Sequence, residues 1–210
     1  MQRNKRLRGE DQPPIKVAVH WSIDMAHDLL EIVKPKEKAN LSLAKPAWKP
    51  PPIGWIKCNT DGAYRPDARH GASGAILRDS TGLFLGGRSC WYPHVLDALM
   101  MEALACRDGM LLTKERAVMK LMLETDSQEL VSLWARGDNQ RSCLAPILRE
   151  IREISSCFLD FNLMYASRSC NRIAHKLAQQ AKGDYRVVEW QVVPTCIINL
   201  LAEECNPDIP

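Results

Sequence analysis

Residues 117–124 read Ala-Val-Met-Lys-Leu-Met-Leu-Glu, apolar at nearly every position and without the alternation of a half-exposed strand. So short and apolar a run fits a strand buried on both faces, which needs helix layers around it and a parallel neighbour. The flanks meet that demand. Upstream, Leu99, Ala103, Cys106 and Met110 recur at helical spacing over 96–113. Downstream, Thr125-Asp126-Ser127 ends the strand, and Leu130, Val131 and Trp134 begin another helix. The pattern further predicts a helix over 144–157, a strand over 158–166, and a helix over 170–182 that Gly183 stops. Ahead of these stand three strands, 55–64, 71–79 and 83–91, whose short connections make an antiparallel meander. Glycines 71, 74, 86 and 87 mark close packing or bulges there. The order β-β-β-α-β-α-α-β-α places the chain in the α/β class: a mixed sheet, its first three strands antiparallel, with helices on both faces.

Five segments follow from the punctuation. Residues 1–19 form a basic polar tail with Arg3, Lys5, Arg6 and Arg8, and 20–34 an amphipathic helix through Trp21, Met25, Leu29 and Val33. Residues 35–53 hold five prolines and make a stiff linker. The main domain covers 54–182. A C-terminal extension, 183–210, carries a short strand and a short helix through Ile197, Ile198, Leu200 and Leu201. Eight cysteines are scattered without a CxxC pair, so neither a zinc ribbon nor a redox motif is indicated. They read as free, mostly buried thiols in a reducing compartment, nucleus, cytoplasm or organelle. No apolar run reaches membrane-spanning length, and the N-terminus lacks the hydrophobic region of a signal peptide. The net charge of +3 permits nucleic-acid binding without arguing for it.

Three acids stand where packing alone does not explain them. In Trp55-Ile-Lys-Cys-Asn-Thr-Asp61, Lys57, Asn59 and Asp61 share one face of a strand. A carboxylate there needs a base or a metal, unless Asp61-Gly62 is simply a turn. Glu102 lies on the edge of the buried stripe of its helix, where a rim glutamate reaching to water is the plain alternative. Asp126 opens the helix after the apolar strand; with Glu129 three residues on, it has the pattern of a capping box.

Together, Cys58-Asn-Thr-Asp-Gly-Ala63, Met101-Glu-Ala103, Glu124-Thr-Asp-Ser127 and Asn171-Arg-Ile-Ala-His-Lys-Leu-Ala178 resemble the type 1 ribonuclease H family. More closely, they resemble plant ribonuclease H-like domains related to the reverse-transcriptase regions of non-LTR retroelements, and the likeness covers about 54–182. The resemblance implies a five-stranded sheet and endonucleolytic cleavage of RNA in RNA–DNA hybrids, leaving 5′-phosphate and 3′-hydroxyl ends. It makes Asp61, Glu102 and Asp126 catalytic acids that hold two Mg²⁺ ions, with Mn²⁺ the second candidate; clustered carboxylates repel one another until divalent cations offset their charge. His175 stands at the position of the family's fourth acid, and imidazole is a poor Mg²⁺ ligand. Ser127 and Gln128 match positions that reach the minor groove of the hybrid, and Arg168 and Asn171 flank the last helix, where they would touch phosphate or order the site. Residues 135–141 are short and mildly basic, so the extended basic handle of some members is absent. A monomer is expected. Two other readings stay open: a nucleic-acid-binding module without efficient turnover, and a retroelement fragment used for protein interaction through its terminal helices.

Overall fold

The computed structural model describes residues 46–137, 143–184 and 186–205. The tail over 1–19, the helix over 20–34, most of the Pro-rich stretch and part of the 135–141 link lie outside them. The elements are β1 (Ile56–Arg65), β2 (His70–Arg78), β3 (Phe84–Tyr92), α1 (Ala98–Glu115), β4 (Lys120–Thr125), α2 (Gln128–Ala135), α3 (Ala145–Ser155), β5 (Asp160–Tyr165), α4 (Arg172–Ala178), β6 (Val187–Trp190) and α5 (Ile198–Cys205). The α/β class, the mixed sheet and the antiparallel meander of the first three strands are as expected. β4 pairs parallel with both β1 and β5, as a strand so apolar requires.

The sheet has six strands among the described residues, in the order β5-β4-β1-β2-β3-β6, rather than the expected five. The sixth, from the C-terminal extension, pairs antiparallel with β3. It covers backbone groups on β3 that an edge would leave unpaired. Opposite residues Arg88 and Glu189 secure the register, with Arg88 Nε donating to Glu189 Oε1 at 2.9 Å.

Two apolar layers flank the sheet. α1 and α3 bury Cys106, Met110, Leu148 and Ile151 against Cys58, Leu77, Leu121 and Leu123. On the other side Ile173 and Leu177 of α4 pack with Ile76, Phe84 and Ile197. The polar face of β1 is satisfied by a buried network. Lys57 meets Glu124 at 2.5 Å, Asn59 donates to Glu124 at 2.8 Å, and Arg78 donates to Asn59 at 2.8 Å and to Glu204 at 2.6 Å. Trp48 donates to Asn59 at 3.0 Å and lies under the Arg78 guanidinium, 3.6 Å from its ring centroid. Residues on both sides of 54–182 thus contribute to one buried polar cluster. No helix among the described residues is long and apolar enough to cross a membrane.

Candidate active site

β1 delivers Asp61 with its carboxylate almost fully buried, its side chain only 6% exposed. The next residue admits a second acid. A Cβ on Gly62 would lie 2.7 Å from the Met101 carbonyl carbon and 2.8 Å from the Glu102 nitrogen, so only glycine lets the backbone of α1 cross so close. That crossing brings Glu102 to the Gly62 backbone N–H. Thr125 Oγ1, at the end of β4, donates to Glu102 Oε2 at 3.3 Å. The residue after Thr125 is Asp126. One carboxylate oxygen from each of Asp61, Glu102 and Asp126 lies within 4.8 Å of the other two.

The three meet from the middle of β1, the start of α1 and the end of β4, and their proximity has an electrostatic signature. Burial, with the charges of Asp61 and Asp126 adding to it, pushes the Glu102 carboxyl up to about 8. Burial also raises Asp61, and the hydrogen bond from His175 pulls it part of the way back. Three hard oxygen donors that close, one of them raised so far, fit a divalent cation such as Mg²⁺. A further oxygen borders the cleft: Asn171 Oδ1 is buried without a hydrogen-bond partner.

α4 supplies the fourth predicted residue. It lies so close on β2 that a Cβ on Gly74 would stand 2.3 Å from the Ala174 carbonyl oxygen and the Ala178 nitrogen. Asn171 fixes the start of the helix by donating to the Thr60 carbonyl at 2.8 Å. His175 Nδ1 then falls 2.9 Å from Asp61 Oδ2, and its Nε2 lies 3.0 Å from Gln179 Nε2. An ionised Asp61 can only accept, so Nδ1 carries the hydrogen and Nε2 accepts from Gln179.

Asp126 does not cap its helix. Ser127 is the cap, its hydroxyl accepting from the Leu130 N–H at 3.2 Å. Starting α2 one residue later than a capping box at Asp126 would leaves that carboxylate for the cluster. Gln128 is exposed at the first position of α2. Arg168 is 93% exposed along its side chain, with Nε 3.4 Å from Asp126 Oδ2. Asn171, by contrast, is buried.

Sequence reasoning missed several residues that line the same cleft of about 560 Å³: Gly62, Arg172, Lys176, Gln179 and Leu200. Basic side chains recur every four residues at 168, 172 and 176, the last two one turn apart on α4, and that spacing was a visible signal. The arrival of Leu200 from the C-terminal helix was not.

The model of a family described as reverse transcriptase-like matches residues 59–181. An Arabidopsis thaliana protein named as a candidate ribonuclease H is 26% identical over 196 residues, 90% of this chain; the chain spans 31% of that relative's length. Among solved structures, the N-terminal RNase H domain of a Mycobacterium tuberculosis protein superposes with a TM-score of 0.56 at 16% identity, covering 60% of this chain and 92% of that one. Ribonuclease H1 of the halophilic archaeon Halobacterium salinarum gives 0.55 at 21% identity, covering 62% and 98%. A ribonuclease H1 designated LC11, solved in complex with an RNA/DNA hybrid, gives 0.54 at 17% identity, covering 60% and 95%. At these identities the structural likeness is one of fold.

Proposed function

The chain belongs to the reverse transcriptase-like family and holds an RNase H-like domain, and from that premise we propose that it is a metal-dependent endoribonuclease cutting the RNA strand of RNA–DNA hybrids. The observation that carries this reading is the convergence of Asp61, Glu102 and Asp126 from β1, α1 and the end of β4. These three would hold two divalent ions, Mg²⁺ first and Mn²⁺ second. Such ions, when bound, supply the positive charge that makes an attacking water nucleophilic and stabilises the leaving 3′-oxygen.

The chain's own groups do the positioning. Glu102 gives up its proton to become a ligand. Asp61 is oriented by the His175 imidazole, which Gln179 holds in one tautomer. Arg168, Arg172 and Lys176 face the cleft as phosphate partners, and Ser127 and Gln128 present the start of α2 to the minor groove. The test is cleavage of an end-labelled hybrid in Mg²⁺ and in Mn²⁺, with the single strands and duplex DNA as controls. Hybrid-selective cuts leaving 3′-hydroxyls, lost in EDTA and in Asp126→Asn, are expected. A hybrid left intact in both metals overturns the reading.

A second reading has its own observation. His175 stands at the fourth acid position and is hydrogen-bonded to Asp61, one of the three proposed ligands, without adding negative charge for a second ion. It describes a nucleic-acid-binding module with little turnover, and hybrid binding without cleavage would select it.

A further inference from the structure

The cleft that holds the acids continues past His175. Gln179, which hydrogen-bonds the His175 ring, borders that cleft and also a second hollow of about 390 Å³. The second hollow is bounded by Arg65 at the end of β1, His70 at the start of β2, Trp91 near the end of β3 and Lys182 beyond α4. Arg65 is four residues beyond Asp61 on one strand, about 13 Å at the rise of extended backbone.

Its chemistry is that of a stacking platform between cations. The rings of Trp91 and His70 lie 5.8 Å apart at 46°. Gly183 sits beside the indole, where even a Cβ would come to 3.6 Å, so no side chain from that position covers the ring. Small residues, among them Ala63 and Ala178, leave the hollow unfilled. The flanking segments 65–70 and 182–186 carry Arg65, Arg69, Lys182 and Arg186 against Asp67 and Asp184. Arg172 and Lys176 in the first cleft and Lys182 in the second make one basic path out of the acidic centre.

We propose that this hollow is a subsite for an unpaired nucleotide continuing from the hybrid in the catalytic cleft. Its base stacks on Trp91 and His70, and its phosphate lies between Arg65 and Lys182. An aromatic ring in a recess takes a base only when that base has left its own stack, which selects a single strand over a duplex end. The preferred substrate is then a hybrid with a single-stranded extension. The proposal rests on the hybrid-binding reading above.

The test is fluorescence anisotropy with the full chain carrying Asp126→Asn, in Mg²⁺. It compares blunt hybrids with hybrids of equal phosphate number that carry a five-nucleotide extension on each strand end in turn. One extended hybrid is expected to bind about tenfold tighter than the blunt one, the worth of one stacked base. Trp91→Leu should erase that gain and leave blunt-hybrid affinity within twofold. Arg65→Gln with Lys182→Gln, both surface changes, should reduce the gain if Trp91→Leu fails to fold. Equal affinity for blunt and all extended hybrids overturns the subsite, as does a gain that survives both variants. If no blunt hybrid binds, the hybrid reading fails. The subsite is then judged on ten-nucleotide oligothymidylate, whose quenching of tryptophan fluorescence must disappear in Trp91→Leu for it to stand.

Discussion

Gly62→Ala tests how the acidic centre is assembled, because the change adds one methyl group and touches no carboxylate. The new Cβ would lie 2.7 Å from the carbonyl carbon of Met101 and 2.8 Å from its oxygen and from the Glu102 nitrogen. All three are backbone atoms of α1, so no rotamer change relieves the clash. Reaching an ordinary contact of 3.4 Å requires α1 and β1 to separate by 0.7 Å at that point. Overpacking of this kind costs about 1–3 kcal/mol. For a chain of this size that lowers Tm by roughly 2–12 °C. The same displacement pulls Glu102 away from the Gly62 N–H that holds it, and losing such a partner of a ligand typically lowers metal affinity about 10–100-fold. Gly183→Ala is the control, since its Cβ meets the Trp91 ring at 3.6 Å, an ordinary contact. Thermal melts and calorimetric Mg²⁺ titrations of the two variants decide the matter. If Gly62→Ala matches wild type in both Tm and Mg²⁺ affinity, the close crossing does not place Glu102.

Four other outcomes are expected. Asp126→Asn abolishes hybrid cleavage and keeps Tm, whereas Ser127→Ala loses about 1 kcal/mol because Ser127 is the cap; cleavage and melts of both variants check the contrast. Without metal, folded chains keep a proton on Glu102 that unfolded chains release, between its ordinary 4.5 and about 8. Stability therefore falls as pH rises through that window, by up to roughly 1.4 kcal/mol per unit; this slope, read from melts in EDTA, should vanish in Glu102→Gln and, for the wild type, when saturating Mg²⁺ replaces EDTA. Glu204→Ala takes the carboxylate from the buried Arg78 and costs about 3–5 kcal/mol, read from urea unfolding. His175→Asp should raise Mg²⁺-dependent single-turnover cleavage, and equal rates at every Mg²⁺ concentration would remove the fourth position as the limit.

The legible parts of the fold were those set by local pattern. The apolar run before Thr125, the alternation around Asp61 and the helical stripe through Met110 were each complete within a dozen residues, and the structure keeps all three. The sixth strand was not legible as part of the sheet. Val187–Trp190 gives a recognisable short strand, but its pairing with β3 depends on contacts 97 to 103 residues away. The capping-box alternative for Asp126 could not be settled from the sequence for a related reason. Asp126 and Ser127 are both good capping residues, and only tertiary structure decides which of two adjacent candidates begins the helix. Nothing in the local pattern marks Lys57, Asn59 and Arg78 as buried. They are buried because Trp48 and Glu204, from opposite ends of the described chain, close over them.

The residues around the acids also explain how the fold tolerates them before any ion binds. Three carboxylates within 4.8 Å of one another would repel strongly if all were bare and ionised. Each has a different local relief. Glu102 retains its proton through neutral pH. Asp61 accepts from His175, and Asp126 lies beside the Arg168 guanidinium. These reliefs differ in how easily a cation displaces them. The Glu102 proton leaves to solvent, and Arg168, exposed along nearly its whole length, can turn toward a substrate phosphate at little cost. His175 is less free, because its ring is held from the far side by Gln179 and its helix is fixed by Asn171 and by the contact at Gly74. An aspartate at 175 would instead add a fourth repelling charge to the metal-free site. Histidine at this position therefore favours a folded, metal-free protein, and in the proposed two-ion reading it does so at the expense of charge for the second ion.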